Sequence, residues 1–160
     1  MPKVAVGGTF EYLHDGHKRL IRTAFKIAGN GEIHIGLTSD QMAGQKERQI
    51  NDYTTRRSNL KEYIKSLDHS GTDYIIFELK DPYGTTVVED YDYIVVSPET
   101  HGMALKINQL RKEGGREPIE IVSIEYVLAD DEIPISSTRI SKGEIDIHGH
   151  LKRNECKDNI

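Results

Sequence analysis

Short apolar runs alternate along this chain with stretches whose apolar residues recur at helical spacing, and few folds accommodate that alternation. Strands separated by helices are joined by crossovers, which makes the sheet parallel and covers both of its faces. Val4 to Val6 forms a first strand that stops at Gly7-Gly8. Leu20, Ile21, Ala24, Phe25 and Ala28 mark a helix over 16–28, closed by Gly29-Asn30-Gly31. Ile33 to Leu37 is a second strand, followed by a polar segment from Ser39 to Tyr53. Leu60, Tyr63, Ile64 and Leu67 define one face of a helix that ends before Gly71. Tyr74 to Leu79 and Tyr91 to Val96 are strands three and four, both expected to be buried, with Asp81-Pro82-Tyr83-Gly84 as a turn between them. Met103, Ala104, Ile107 and Leu110 mark a further helix closed by Gly114-Gly115, Ile119 to Leu128 a fifth strand, and Ser136-Ser137-Thr138 the start of a short final helix. The expected class is α/β, a doubly wound parallel sheet of five strands. In such sheets ligands bind beyond the carboxyl ends of the strands, where the strand order reverses, which directs attention to the loops after strands one and four.

A chain of 160 residues with 36% hydrophobic content forms one domain and can bury about 68 to 70% of its extended surface without disulfides. The domain is expected over 1–146, with 147–160 as a polar tail or terminal helix, since periodicity is lost beyond Glu144. Lys and Arg total 21 against 26 Asp and Glu, a net charge of −5, which disfavours nucleic acid and anionic membranes as partners. No stretch approaches the roughly 18 apolar residues of a membrane span, and the opening MPKVAVGG lacks the apolar region of a signal peptide. The lone cysteine, Cys156, has no intramolecular partner and reads as an incidental thiol in a reducing compartment. A cytoplasmic protein is expected, and its polar helix faces favour a monomer.

The loop after strand one, Gly7-Gly8-Thr9-Phe10-Glu11-Tyr12-Leu13-His14-Asp15-Gly16-His17, brings glycines, a hydroxyl and two imidazoles to a helix start. Glycines let a phosphate approach the backbone, and the helix N-terminus favours an anion. Lys18, Arg19, Arg22 and Lys26 then follow on a helix that has no acid from Gly16 onward. Two other readings stand beside phosphate binding: histidines that merely pack or cap, and a histidine pair ligating zinc, for which no further ligand lies nearby. Between Asp40 and Ser66, the basic residues Lys46, Arg48, Arg56, Arg57, Lys61 and Lys65 mostly suit a solvated helix face. Lys46 differs, because it lies beyond strand two on the ligand side, where its ammonium could reach a phosphate. Pro134-Ile135-Ser136-Ser137-Thr138-Arg139-Ile140 supplies three hydroxyls and an arginine at a helix start. One hydroxyl suffices for a cap, and three with an arginine suit a polyphosphate. Ser97-Pro98-Glu99-Thr100-His101 is a loop recommended by its position after strand four. No nucleophile elbow, P-loop or Rossmann fingerprint is present.

Gly8-Thr9-Phe10 with His14-Asp15-Gly16-His17 resembles the T/H-x-G-H signature of the HIGH nucleotidyltransferase superfamily, and Ile135-Ser136-Ser137-Thr138-Arg139-Ile140 resembles its late I-S-S-T-x motif. Together with Gly36-Leu37-Thr38-Ser39-Asp40 and Val95-Val96-Ser97-Pro98-Glu99-Thr100, the chain over 2–146 resembles the archaeal-type phosphopantetheine adenylyltransferases, relatives of a domain of eukaryotic CoA synthase. The resemblance implies a Rossmann-like nucleotidyltransferase fold and a reaction of ATP with 4'-phosphopantetheine that gives dephospho-CoA and pyrophosphate. It also implies magnesium carried on the ATP phosphates, with no metal ligand from protein side chains. Thr9 and His17 would contact the α-phosphate, His14 its neighbours, and Lys46 the reacting phosphates. Gly8 and Phe10 would line the phosphate loop. Ser136, Ser137, Thr138 and Arg139 would hold the β- and γ-phosphates, and Ser97, Glu99 and Thr100 would border the adenosine. Glu11 stands where many relatives carry aspartate, Ser141-Lys142 where an arginine-rich pair is common, and the arginine pair of bacterial enzymes after strand four is missing. Rivals are the same fold with another acceptor, as in FAD synthetase, nicotinamide mononucleotide adenylyltransferase or a CTP-dependent cytidylyltransferase, and a non-catalytic nucleotide-binding module.

Overall fold

The structure, a computed structural model, describes residues 1–44, 50–68 and 71–152. In chain order the elements are β1 (Lys3–Gly8), α1 (Asp15–Ala28), β2 (Glu32–Thr38), α2 (Asp40–Ala43), α3 (Tyr53–Ser66), β3 (Asp73–Leu79), β4 (Tyr93–Val96), α4 (His101–Glu113), β5 (Glu120–Ser123) and α5 (Ser137–Ser141). The five strands form one sheet in the order β3-β2-β1-β4-β5, and every pairing is parallel. The order reverses between β1 and β4, so the loops leaving those two strands flank the crevice where ligands of such sheets bind.

Strand alternation sends Val4, Val6, Ile33, Ile35 and Leu37 to the face covered by Leu20, Ile21, Ala24 and Phe25 of α1 and Leu60 and Ile64 of α3. Ala5, Ile94 and Val96 point to the other face, where α4 contributes Ala104 and Ile107. A helix layer thus lies on each face, as the doubly wound reading requires. Gly31 must be a glycine: a Cβ there would overlap the backbone carbonyl oxygen of Pro2, which accepts the Glu32 amide at 3.0 Å. Gly31→Ala should destabilise the fold by about 2 to 3 kcal/mol through forced displacement of β1, measured as a lower urea midpoint with an unchanged slope.

Several sequence expectations shift. Strand five, expected to run to Leu128, ends at Ser123, because its partner β4 ends at Val96. The apolar residues beyond fold back instead, Ile135 N–H donating to Val127 O and Ala129 N–H to Ile133 O, over a small core of Ala129, Ile135 and Ile145. Strand four begins at Tyr93 rather than Tyr91. Strand three is not buried on both faces: it is an edge, paired to β2 alone, with Ile75 half exposed. The polar segment after β2 contains the single-turn α2, capped by Ser39 Oγ accepting from Met42 N–H at 3.1 Å. Residues 144–152 form a reversal closed by the Ile145–Leu151 bridge, which meets the body where Ile147 O accepts the Asp15 amide at the start of α1 and Gly149 O the Asp130 amide. Residues 153–160, with Cys156, lie outside the described residues.

Candidate active site

His14 occupies the N-cap of α1, and its Nδ1 accepts from the backbone N–H groups of Gly16 (3.1 Å) and His17 (3.3 Å). The glycine between the histidines makes room for this: a Cβ at Gly16 would lie 2.9 Å from His14 Cε1. His17 faces a carbonyl instead, with Nδ1 2.9 Å from Tyr12 O. A carbonyl only accepts, so His17 Nδ1 carries a proton; amides only donate, so His14 Nδ1 carries the lone pair and its Nε2 the proton. The two rings stack at 3.7 Å between centroids. Below them Phe10, with φ 49°, puts a fully buried ring edge-on to His17 at 5.2 Å. Gly8 stays small because a Cβ would lie 3.2 Å from that ring. Phe10 therefore meets the site as a buried support for the imidazole.

Arg56, expected on a solvated face, is wholly buried. Its Nη1 donates to Thr9 O (3.1 Å) and Thr38 Oγ1 (3.2 Å), its Nε to Asn51 O (2.8 Å), and its Nη2 to Asp40 Oδ1 (3.2 Å). Thr38 Oγ1 donates in turn to Thr9 Oγ1 at 3.1 Å. Glu11, also buried, accepts the Asn51 amide at 3.3 Å. Lys46 lies outside the described residues.

Across the crevice, Thr100 Oγ1 does not cap α4. It turns back to accept the Ser97 amide at 3.1 Å, closing the loop after β4, while Glu99 is exposed. Ser136 is the N-cap of α5, its Oγ accepting from Arg139 N–H at 3.2 Å, so one of the three late hydroxyls does serve as a cap. The Arg139 guanidinium is engaged by Asp131, by Glu144 at 2.9 Å and by the carbonyls of Ile133 and Pro134. Hydrogen bonds from Arg139 hold the Asp131 carboxyl below the usual carboxylate range. Arg139 would have to leave these partners to face the cleft.

These loops enclose a cleft of about 360 Å³, within the size range of small-molecule sites. It is lined by Thr9, His14 and His17, by Ser97 to Thr100 and Ser136 to Thr138, and by the apolar Phe77, Leu79, Pro82 and Tyr83. Gly7 and Gly36, paired in register, make room for Leu79, whose Cγ would lie 2.7 Å from a Cβ at Gly36. The apolar side is tied down by a second buried arginine, Arg111, whose Nη1 donates to Thr86 O (2.8 Å) and Glu89 O (2.6 Å) and whose Nε donates to Glu117 O (2.7 Å). At the deep end Tyr91 OH lies 2.7 Å from Thr85 Oγ1 and 3.1 Å from His34 Nδ1, and burial pushes its hydroxyl up to about 12. Among the described residues no group of three His, Cys, Asp or Glu side chains could hold a metal ion. No described helix is long and apolar enough to cross a membrane.

Arg56 and Arg111 are the site-shaping residues that the sequence reading passed over. A signal existed: Arg56 lies four before Leu60 and eight before Ile64, and Arg111 four after Ile107, on the buried helical faces.

The cytidylyltransferase-like family matches residues 5–143. The phosphopantetheine adenylyltransferase of Methanosarcina mazei is 60% identical over 153 residues, covering 96% of this chain and 99% of that protein. That of Archaeoglobus fulgidus is 49% identical over 149 residues, covering 93% and 99%. A solved structure from Archaeoglobus fulgidus, described as a protein of unknown function, is 47% identical and superposes with a TM-score of 0.70 over 76% of this chain and 88% of that one.

Proposed function

The chain belongs to the cytidylyltransferase-like family, among its phosphopantetheine adenylyltransferases, and on that premise we infer that it transfers the adenylyl group of ATP to 4'-phosphopantetheine, giving dephospho-CoA and pyrophosphate. The observation that carries this reading is a cleft whose lining combines Thr9, His14 and His17 with hydroxyl-bearing loops and apolar side chains. The hydroxyls suit the phosphates of ATP and the apolar side chains the pantetheine arm. An acceptor phosphate oxygen forms the new bond to the α-phosphorus, the bond from that phosphorus to the bridging oxygen breaks, and the electron pair leaves with pyrophosphate. The attacking oxygen is already anionic at neutral pH, so positioning and charge stabilisation suffice without a general base.

In this reading Thr9 and His17 donate to the α-phosphoryl oxygens, His14 offers Nε2–H to the neighbouring phosphate, and Lys46 neutralises the reacting phosphates. Gly8 lets the phosphates approach. Ser136, Ser137 and Thr138 receive the β- and γ-phosphates, with Arg139 bracing their segment through Asp131 and Glu144. Ser97, Glu99 and Thr100 border the adenosine. The central donor set of hydroxyls and imidazoles fits phosphate oxygens rather than a protein-held cation, so magnesium would arrive on the nucleotide and add charge neutralisation there. Both substrates are small molecules. We expect a cytoplasmic monomer that acts without nucleic acid or membrane, in keeping with a net charge of −5.

The test is pyrophosphate release with magnesium, crossing ATP and CTP against phosphopantetheine, flavin mononucleotide, nicotinamide mononucleotide and glycerol phosphate. Release is expected with ATP plus phosphopantetheine alone. Release with another pair overturns the substrate assignment, and ATP binding without release with any acceptor overturns the catalytic reading.

A further inference from the structure

We propose that Arg56 is a positioning residue that acts through Thr38 to turn the Thr9 hydroxyl into a dedicated donor toward the reacting phosphate, an inference that rests on the adenylyl-transfer reading. A guanidinium donates and never accepts. Buried and fixed by Asn51 O and Asp40, it gives one Nη1 proton to the Thr9 carbonyl and the other to Thr38 Oγ1. Thr38, itself buried, has a single hydroxyl proton, and its geometry directs that proton to Thr9 Oγ1 at 3.1 Å. Thr9 Oγ1 is thereby occupied as an acceptor, and its own proton is directed onward, toward the cleft that Thr9 lines. Each donor in the series polarises the next. The series ends at a residue that lines the cleft, and its direction presents a donor to charge building on a phosphoryl oxygen. Lysine cannot replace Arg56, because a point ammonium cannot reach four separated acceptors in a planar fork.

The same guanidinium joins Asp40, in α2, to the Asn51 carbonyl just before α3. Asp40 Oδ1 also accepts the Tyr53 amide at 2.6 Å. One side chain therefore sets the phosphate loop after β1, the end of β2 and the start of α3 relative to one another.

Thr38→Val, Thr38→Ser, Arg56→Lys and the double variant Arg56→Lys with Thr38→Val test this in the full chain, by steady-state pyrophosphate release with ATP and phosphopantetheine and by thermal melting. Thr38→Val is isosteric and breaks the series at its middle. It should lower kcat about tenfold, as expected for one polarised hydrogen bond, with KM for ATP within about twofold and Tm lowered by about 2 to 8 °C, since a buried Arg56 Nη1 proton loses its acceptor. Thr38→Ser should restore kcat, and the double variant should be no slower than the slower single, because both changes cut one chain of bonds. Wild-type kcat in folded Thr38→Val, no recovery in Thr38→Ser, or multiplying losses in the double variant overturns the proposal. If Arg56→Lys does not fold, the two Thr38 variants still decide. A wild type that releases no pyrophosphate on these substrates sinks the functional reading and this series together, whereas an active wild type with an unaffected Thr38→Val sinks the series alone.

Discussion

His17→Ala should lower turnover by about 10² to 10³, the loss seen when one preorganised donor to a developing oxyanion is removed, or about 3 to 4 kcal/mol. The fold should survive, since His17 is only partly buried and lies at the rim of the core, over Phe10. Its Nδ1–H is committed to Tyr12 O, so Nε2 donates to a phosphate only when the ring is cationic. His14 is held by two amides as an Nδ1 acceptor and stacks on His17 with 3.7 Å between ring centroids. His17→Gln, which places an amide donor near the same position, should retain more activity than the alanine variant. Near-native turnover in a folded His17→Ala protein would remove this residue from the reaction.

Arg111→Met should destabilise the protein by about 3 kcal/mol, as three carbonyls lose a charged donor and recover no partner. At about 2 to 4 °C per kcal/mol for a domain of this size, that is a fall in Tm of about 6 to 12 °C. The ion pair to Asp90 at 2.9 Å contributes little, because that carboxylate is 87% exposed. The rest of the loss falls on the segment carrying Thr86 and Glu89, whose neighbours Pro82 and Tyr83 line the cleft. KM for phosphopantetheine should therefore rise severalfold while KM for ATP holds. Arg111→Lys should recover little, lacking the fork that reaches carbonyls on two loops. A melting temperature within about 2 °C of wild type would show that the carbonyls find other partners.

Where periodicity was strong, the sequence was sufficient. Leu20, Ile21, Ala24, Phe25 and Ala28 are the buried face of α1, and Val4 to Val6 and Ile33 to Leu37 lie in neighbouring parallel strands. The phosphate-loop motif was legible because its residue types have local reasons: His14 caps its own helix two and three residues on, and Gly16 leaves space for that ring. The boundary of β5 was not legible. Ile119 to Leu128 reads as one apolar run, and only the end of its partner strand at Val96 cuts it short. The exposure of β3 escaped for the same reason, since a strand's own residues do not say whether a second neighbour exists.

The sequence by itself determined the α/β alternation, the position of the phosphate loop at a helix start and the family to which those motifs belong, all of which depend on residues near one another in the chain. The tertiary structure alone decided what becomes of charged groups whose partners are distant. Arg56 meets Thr9 across 47 residues and Arg111 meets Thr86 across 25, and a buried guanidinium is tolerable only where such acceptors converge. Convergence is a property of the packed sheet and its loops. It turns two arginines that resemble solvated helix charges into the clamps that shape the cleft.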